Sequence, residues 1–342
     1  MRKPVLAITI GDSAGIGPEI IVRAFTSGEI LKYSQPIVIG KALPLNRAIK
    51  LIKAGGTINR IRKVSEAGFR RGVIDLIEVE KVKLGKFSWG EVSLACARLS
   101  IKAIEKAVDM ALKREVEGIV TLPINKKGWA KAGLSFPGHT EFLAHLTRTK
   151  KFAMLLMAGR IKVVLVTRHI ALREVAGSIN KKEVFKNIVL AQEGGIRLGI
   201  KNPRLAVAGL NPHAGEEGLF GREERQKIKP AIRQARLKGL DVSGPYPADS
   251  LFYRVNRGDF DVVVAMYHDQ GLIPLKMFSL ESSVNVTIGL PIIRTSPGHG
   301  TAYDLAGKGV AREKSLLEAV KVAARMVCYE KDSASTSSRI KI

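Results

Sequence analysis

Residues 260–271 read FDVVVAMYHDQG, an apolar run closed by His268, Asp269 and Gln270 and then by a glycine, which reads as a turn. A short continuous apolar run bounded by polar residues suits a strand covered on both faces, as in a parallel sheet. Similar runs occupy residues 4–10, 36–40, 73–79, 118–124, 152–158, 162–167 and 204–210, with another extended stretch at 284–290. They alternate with helical patterns, of which the clearest cover residues 91–114, 182–199, 224–239 and 315–329. The alternation predicts an α/β protein of two α/β domains, with largely parallel sheets and a cleft between them. The first domain is expected to be discontinuous, residues 1–130 plus 290–342, and the second to cover residues 131–289. The polar, serine-rich stretch 331–342 reads as a frayed tail.

Chemically capable residues gather just beyond the predicted strand ends: GDSAGIGPE at 11–19, PINKK at 123–127, RHIALRE at 168–174, NPHAGE at 211–216 and HDQG at 268–271. In open α/β sheets ligands bind outside the carboxyl ends of the strands, so these loops are expected to converge. Three of them carry a histidine: His169, His213 and His268. Imidazoles in such a set suit a divalent metal, with open positions left for substrate oxygen; a hydrogen-bonding cluster is the other reading.

Composition bounds the function. The chain has 342 residues, 46% hydrophobic and 25% charged, in the range of a soluble globular protein. No apolar run approaches the roughly 20 residues of a membrane helix, and the start reads as a first strand rather than a cleaved leader, so a cytoplasmic protein is expected. Cys96 and Cys328 stand far apart and outside any C-x-x-C pair, which predicts buried free thiols. The net charge of +25 is spread along the chain, and aromatics are only 6%. That distribution argues against a nucleic-acid binder and for a solvated surface whose field draws anionic substrates.

Other residues suit anions. His139 and Thr140, in FPGHTEF, stand at a helix start where Thr140 would cap; free N–H groups there favour an anion, although an ordinary capped helix with an exposed histidine fits equally. His145, inside that helix, reads as structural. Lys276, Asn285 and Arg294 recur at nine-residue spacing, as suits a phosphate or carboxylate group or simple surface decoration. The glycines of 11–19 do not follow G-x-G-x-x-G, and the next strand ends without an acidic residue, so an ordinary Rossmann site is disfavoured. That loop either lets a ligand approach the backbone or is a structural strand-to-helix turn. Residues 296–309, SPGHGTAYDLAGKG, read as a loop wrapped around something flat, or as a glycine-rich connection.

Taken in order, GDSAGIGPE, PINK, GHTEF, NPHAGE, YHDQGL and HGTAYDLAGKG resemble the 4-hydroxythreonine-4-phosphate dehydrogenase (PdxA) family of vitamin B6 biosynthesis, over nearly the whole chain. More distantly the chain resembles the isocitrate and isopropylmalate dehydrogenase superfamily, which binds NAD or NADP without an ordinary Rossmann fold. The resemblance implies a divalent metal (Zn, Co, Mn or Mg) on His169, His213 and His268, with the third ligand from the partner subunit of a homodimer. It implies substrate binding by His139, Thr140, Lys276, Asn285 and Arg294, and cofactor contacts from the loop holding His299, Gly300, Thr301 and Asp304. The implied reaction oxidises 4-phosphooxy-L-threonine at C3, with decarboxylation to 3-amino-2-oxopropyl phosphate; Asp249 and Asp269 are the candidates for the base or for orienting ligands. The chain departs from the family at Gly298, where an acidic residue is common, and at Ser13, where proline is more frequent. Relatives within the resemblance act instead on 4-phosphothreonate or 4-phosphoerythronate.

Overall fold

The computed structural model describes residues 2–339 apart from 54, 81 and 280, with side chains up to 333. Its contacts divide the chain into one unit of Met1–Lys150 with Leu290–Ile342 and another of Lys151–Gly289. Strands and helices are numbered in chain order. In the first unit the strands are β1 (Val5–Thr9), β2 (Gln35–Gly40), β3 (Thr57–Ile61), β4 (Val73–Glu78), β5 (Gly118–Thr121) and β12 (Arg294–Pro297). The helices are α1 (Gly17–Ser27), α2 (Ala42–Ile52), α3 (Leu94–Leu112), α4 (Lys126–Lys131), α5 (His139–Leu146) and α11 (Lys314–Arg339).

The strand order is β3-β4-β2-β1-β5-β12, and each neighbouring pair is parallel. β1 and β5 are buried at every position, as parallel strands covered by helices on both faces must be. Local chemistry sets the helix starts: Pro18 stands in the first turn of α1, Ser93 caps α3 by accepting from the Cys96 N–H at 3.4 Å, and Asn125 caps α4 through Gly128 at 2.8 Å.

The second unit holds β6 (Ala153–Ala158), β7 (Ile161–Leu165), β8 (Leu205–Ala208), β9 (Val242–Tyr246), β10 (Val262–Ala265) and β11 (Val284–Ile288). Its helices are α6 (Leu172–Ser178), α7 (Lys181–Arg197), α8 (Lys229–Leu237), α9 (Ala248–Arg257) and α10 (His268–Phe278). The order is β11-β6-β7-β10-β8-β9. β7, β10, β8 and β9 pair in parallel, whereas β6 runs antiparallel to both of its neighbours. The reversal is local: two residues join β6 to β7, and Gly159 takes φ 53 there. Val163, Leu165, Ala206, Val263 and Ala265 face Leu251, Phe252, Leu272 and Leu275 in one apolar core.

Several expectations need correction. β3, β9 and β12 carry no apolar run: β3 is half exposed, β9 contains a Gly-Pro pair, and β12 reads RTSP. Residues 131–150, expected with the second domain, pack with the first, because Phe142 of α5 stacks edge-on against the buried Trp129 of α4 at 5.5 Å. The segment expected to fray from 331 continues α11 as far as Arg339, with Lys331 ion-paired to Glu117; residues 340–342 lie outside the described residues. Gly271 is no turn. It lies in the first turns of α10, where an added Cβ would come within 2.6 Å of Val163 Cγ1 and 3.2 Å of the Ala265 Cβ.

Gly271 therefore sets how closely α10 lies on β7 and β10. Gly271→Ala is expected to destabilise the protein by about 1–3 kcal/mol in denaturant melts through overpacking; unchanged stability would mean that the helix moves away freely.

Candidate active site

Because β7, β10 and β8 are adjacent and parallel, the segments leaving their carboxyl ends emerge along one edge of the second unit. Those segments carry His169, His268 and His213, respectively. The rings of His169 and His268 come within 5.7 Å, centroid to centroid. His268 opens α10, and its Nδ1 shares a 2.6 Å hydrogen bond with Asp269 Oδ1. That contact turns Nε2 away from the carboxylate, the arrangement in which an outer carboxylate orients a ligating imidazole. The donor set fits a borderline divalent ion. His213 stands apart, packing on Phe220 at 6.1 Å, and among the described residues no three His, Cys, Asp or Glu side chains of one chain gather as a metal site.

The backbone at His213 is unusual. His213, Ala214, Gly215, Glu216 and Glu217 all take left-handed conformations, with φ between 41 and 85. Each non-glycine residue held there costs roughly 1–2 kcal/mol, so the surrounding structure must impose the turn. Sequence reasoning missed the residues that do so. Glu224, buried on a single π-helical turn, accepts the N–H groups of Leu210 and Asn211 at 2.8 and 2.7 Å and the Asn211 side-chain amide at 2.9 Å. Gln270, also buried, accepts the Met266 N–H at 2.7 Å and donates to the Gly209 carbonyl at 2.7 Å. The available signal was polar residues at positions that the adjoining pattern buries.

The first unit holds a separate anion-suited group. Arg294 on β12 is buried and donates through Nε and Nη2 to Thr121 Oγ1 at 3.0 and 2.7 Å. Burial lowers its pKa to about 9, against the field of Glu141. His139 packs on Trp129 at 5.4 Å, with its Nε2 enclosed and unpartnered among the described residues. Burial holds its pKa well below the ordinary imidazole range, helped by the charges of Arg294 and Lys126 and opposed by a hydrogen bond at the Leu122 backbone. His139 is therefore neutral at pH 7. Lys126, the first residue of α4, belongs to the PINKK stretch, which the sequence marked as chemically capable without giving this lysine a role. Thr140 is buried in the first turn of α5 rather than capping it; the N-cap is Gly138. His145 packs on Phe136 at 4.9 Å.

Of the other expected residues, Lys276 is exposed on α10, and Asn285 on β11 keeps a buried Oδ1 without a partner among the described residues. Asp249 is exposed in the first turn of α9. A cleft of about 820 Å³ in the first unit, lined by Lys41, Arg60, Glu78 and Lys102 among others, includes none of the expected residues.

The loop at 11–19 is structural. Residues 11–20 are buried without a break, and the loop is stitched to the 296–309 segment: the Ile16 N–H donates to the Thr301 carbonyl (3.1 Å), the Tyr303 hydroxyl to Asp12 Oδ2 (2.7 Å) and the Gly307 N–H to Glu19 Oε1 (2.7 Å). Burial raises the Asp12 pKa, while the Tyr303 and Ala14 hydrogen bonds pull it down. His299 spends both ring nitrogens within the protein, on the Gly300 carbonyl (2.9 Å) and Ser315 Oγ (2.6 Å), so its ring face is what it offers a ligand. Asp304 is exposed, and nothing crowds Gly300. Cys96 is a buried free thiol whose pKa burial pushes up to about 11; Cys328 is free and half-buried. No helix among the described residues is long and apolar enough to cross a membrane.

Similarity to known proteins covers both units. The D-threonate 4-phosphate dehydrogenase of Cupriavidus necator is 45% identical over 94% of this chain and 97% of its own. The 4-hydroxythreonine-4-phosphate dehydrogenase of Desulforapulum autotrophicum is 43% identical over 94% of this chain and 95% of its own. The crystal structure of the Klebsiella pneumoniae 4-hydroxythreonine-4-phosphate dehydrogenase superposes with a TM-score of 0.87 at 40% identity, covering 95% of this chain and all of that one (100%). Fold and relatives together define an α/β dehydrogenase. The sequence profile described as "Pyridoxal phosphate biosynthetic protein PdxA" matches residues 32–323, and the chain belongs to that family.

The environment of His139 has a consequence for acid stability. Below about pH 6.5 the unfolded chain takes up a proton on this imidazole that the folded chain resists, so stability is lost as pH falls. His139→Gln removes the difference, and its melting temperature is expected to drop less than that of the parent between about pH 7 and pH 5; equal drops would show that the imidazole titrates alike in both states.

Proposed function

We propose that the protein is a cytoplasmic, divalent-metal-dependent NAD(P) dehydrogenase that oxidises 4-phosphooxy-L-threonine at C3 and releases carbon dioxide, giving 3-amino-2-oxopropyl phosphate for pyridoxal phosphate synthesis. The observation that carries the metal dependence is the His169–His268 pair, 5.7 Å apart, with Asp269 behind His268. Membership of the PdxA family supports the chemistry. His169, His268 and His213 would hold the ion, the last from a partner subunit. Bound there, a divalent ion would lower the pKa of the substrate hydroxyl and polarise the resulting ketone, and a nicotinamide would accept the hydride.

The remaining work falls to the chain's own residues. Arg294, Thr140, Lys276 and Asn285 would donate to the substrate's phosphate and carboxylate, with His139 as a further contact. In neutral His139 the single ring N–H is held at the Leu122 backbone, so the enclosed Nε2 is left to accept a hydrogen bond from the substrate, such as a protonated phosphate oxygen. Asp249 or Asp269 takes the C3 hydroxyl proton and returns one to carbon after carbon dioxide leaves. The loop bearing His299, Gly300, Thr301 and Asp304 contacts the nicotinamide cofactor, where Gly298 supplies no carboxylate of its own.

In the homodimer a partner subunit would cover the side of the second unit that carries these histidines, where Leu172, Leu219 and Met277 stand exposed. A second substrate reading, D-threonate 4-phosphate, is favoured by the name of the 45% identical relative. The two acids differ at C2, amino against hydroxyl.

The test is NAD(P)H formation by the metal-loaded protein with 4-phosphooxy-L-threonine, 4-phospho-D-threonate and 4-phospho-D-erythronate, with and without a chelator. Chelator-sensitive turnover of the first supports the proposal. Preference for a sugar acid moves the pathway and keeps the site, and no turnover of any of the three with metal bound contradicts the dehydrogenase assignment.

A further inference from the structure

We propose that Glu224 and Gln270 are positioning residues that preset His213 for metal coordination. The inference rests on the metal reading above and extends it to side chains that touch neither metal nor substrate. Glu224 gathers the two successive backbone N–H groups of Leu210 and Asn211, together with the Asn211 side chain, immediately before the left-handed turn begins at His213. The same carboxylate fills the space inside that turn: a Cβ on Gly215 would stand 2.6 Å from Glu224 Oε2, and one on Gly209 would meet the Ala214 Cα at 2.8 Å.

Gln270 connects this loop to the other histidine. It lies two residues beyond His268 on α10, fixes its own Oε1 on the Met266 N–H, and holds the Gly209 carbonyl through Nε2. On its far side Gly209 donates to the Tyr246 carbonyl of β9 at 2.8 Å. The loop that presents His213 is thus clamped at its root from α10, from β9 and from Glu224. A turn that its own φ angles disfavour is held in one shape, and an exposed ligand on it loses little freedom when an ion binds.

The test uses Co²⁺ alone as the probe, titrated into chelator-stripped full-length protein and followed by its visible absorption, with the melting temperature of the metal-free protein recorded in parallel. Glu224→Gln keeps an oxygen for the two backbone donors but sets an amide against the Asn211 side chain; it is expected to weaken Co²⁺ binding about 10- to 100-fold. Glu224→Ala weakens it further. If the Glu224 variants do not fold, Gln270→Leu carries the test, with weakening in the same range expected. A merely structural role would lower the melting temperature and leave Co²⁺ affinity and spectrum at parent values, and that result overturns the proposal while His213→Ala still loses the ion. If the parent binds no Co²⁺, or His213→Ala binds it as the parent does, the metal reading itself falls and this inference with it.

Discussion

The parallel pairing of β7, β10 and β8 is the constraint on which the candidate chemistry depends. Parallel strands place their carboxyl ends on one side, so three segments far apart in sequence open along a single edge, each delivering a histidine. Nothing local in His169, His213 or His268 makes a ligand. The ring approach of His169 and His268 follows from the register between β7 and β10 and from the way Gly271 seats α10 on both.

Buried polar groups then do what apolar packing cannot. An unsatisfied buried N–H or carbonyl is costly, so Glu224 and Gln270 define the shape of the loop after β8 in a way an apolar pair would not. The first unit uses the same device, where Asp12, Glu19 and Tyr303 tie the 11–19 loop beneath residues 296–309. Around His139 the balance differs: burial and the nearby cations keep the imidazole neutral, and Arg294 carries its charge in a buried setting. The net charge of +25 adds a long-range field attractive to phosphorylated acids.

The strands with apolar runs, including FDVVVAMY and VNVTIG, were legible because burial on both faces demands such runs. β3, β9 and β12 were not, since half-exposed strands and a buried but polar one such as RTSP lack the pattern. Histidine placement beyond strand ends was readable, because strand ends are. The buried side chains that shape the loop before His213 were not: Glu224 lies in a stretch that reads as an ordinary amphipathic helix, and Gln270 is held by the Met266 N–H and by the Gly209 carbonyl 61 positions away. The glycines of 11–19 and Gly271 were ambiguous for the same reason, because close packing and ligand access both ask for a missing side chain.

The central claim, a metal site completed by two copies of the chain, is tested most directly by complementation. His213→Ala and His169→Ala variants, each inactive alone, are co-expressed, and the purified mixture is assayed for metal-dependent NAD(P)H formation. If His213 of one protomer joins His169 and His268 of its partner, each mixed dimer regains one intact site, and random pairing restores about a quarter of parent activity. If all three histidines serve a single chain, every site in the mixture lacks a ligand, and the absence of any recovery would contradict the account.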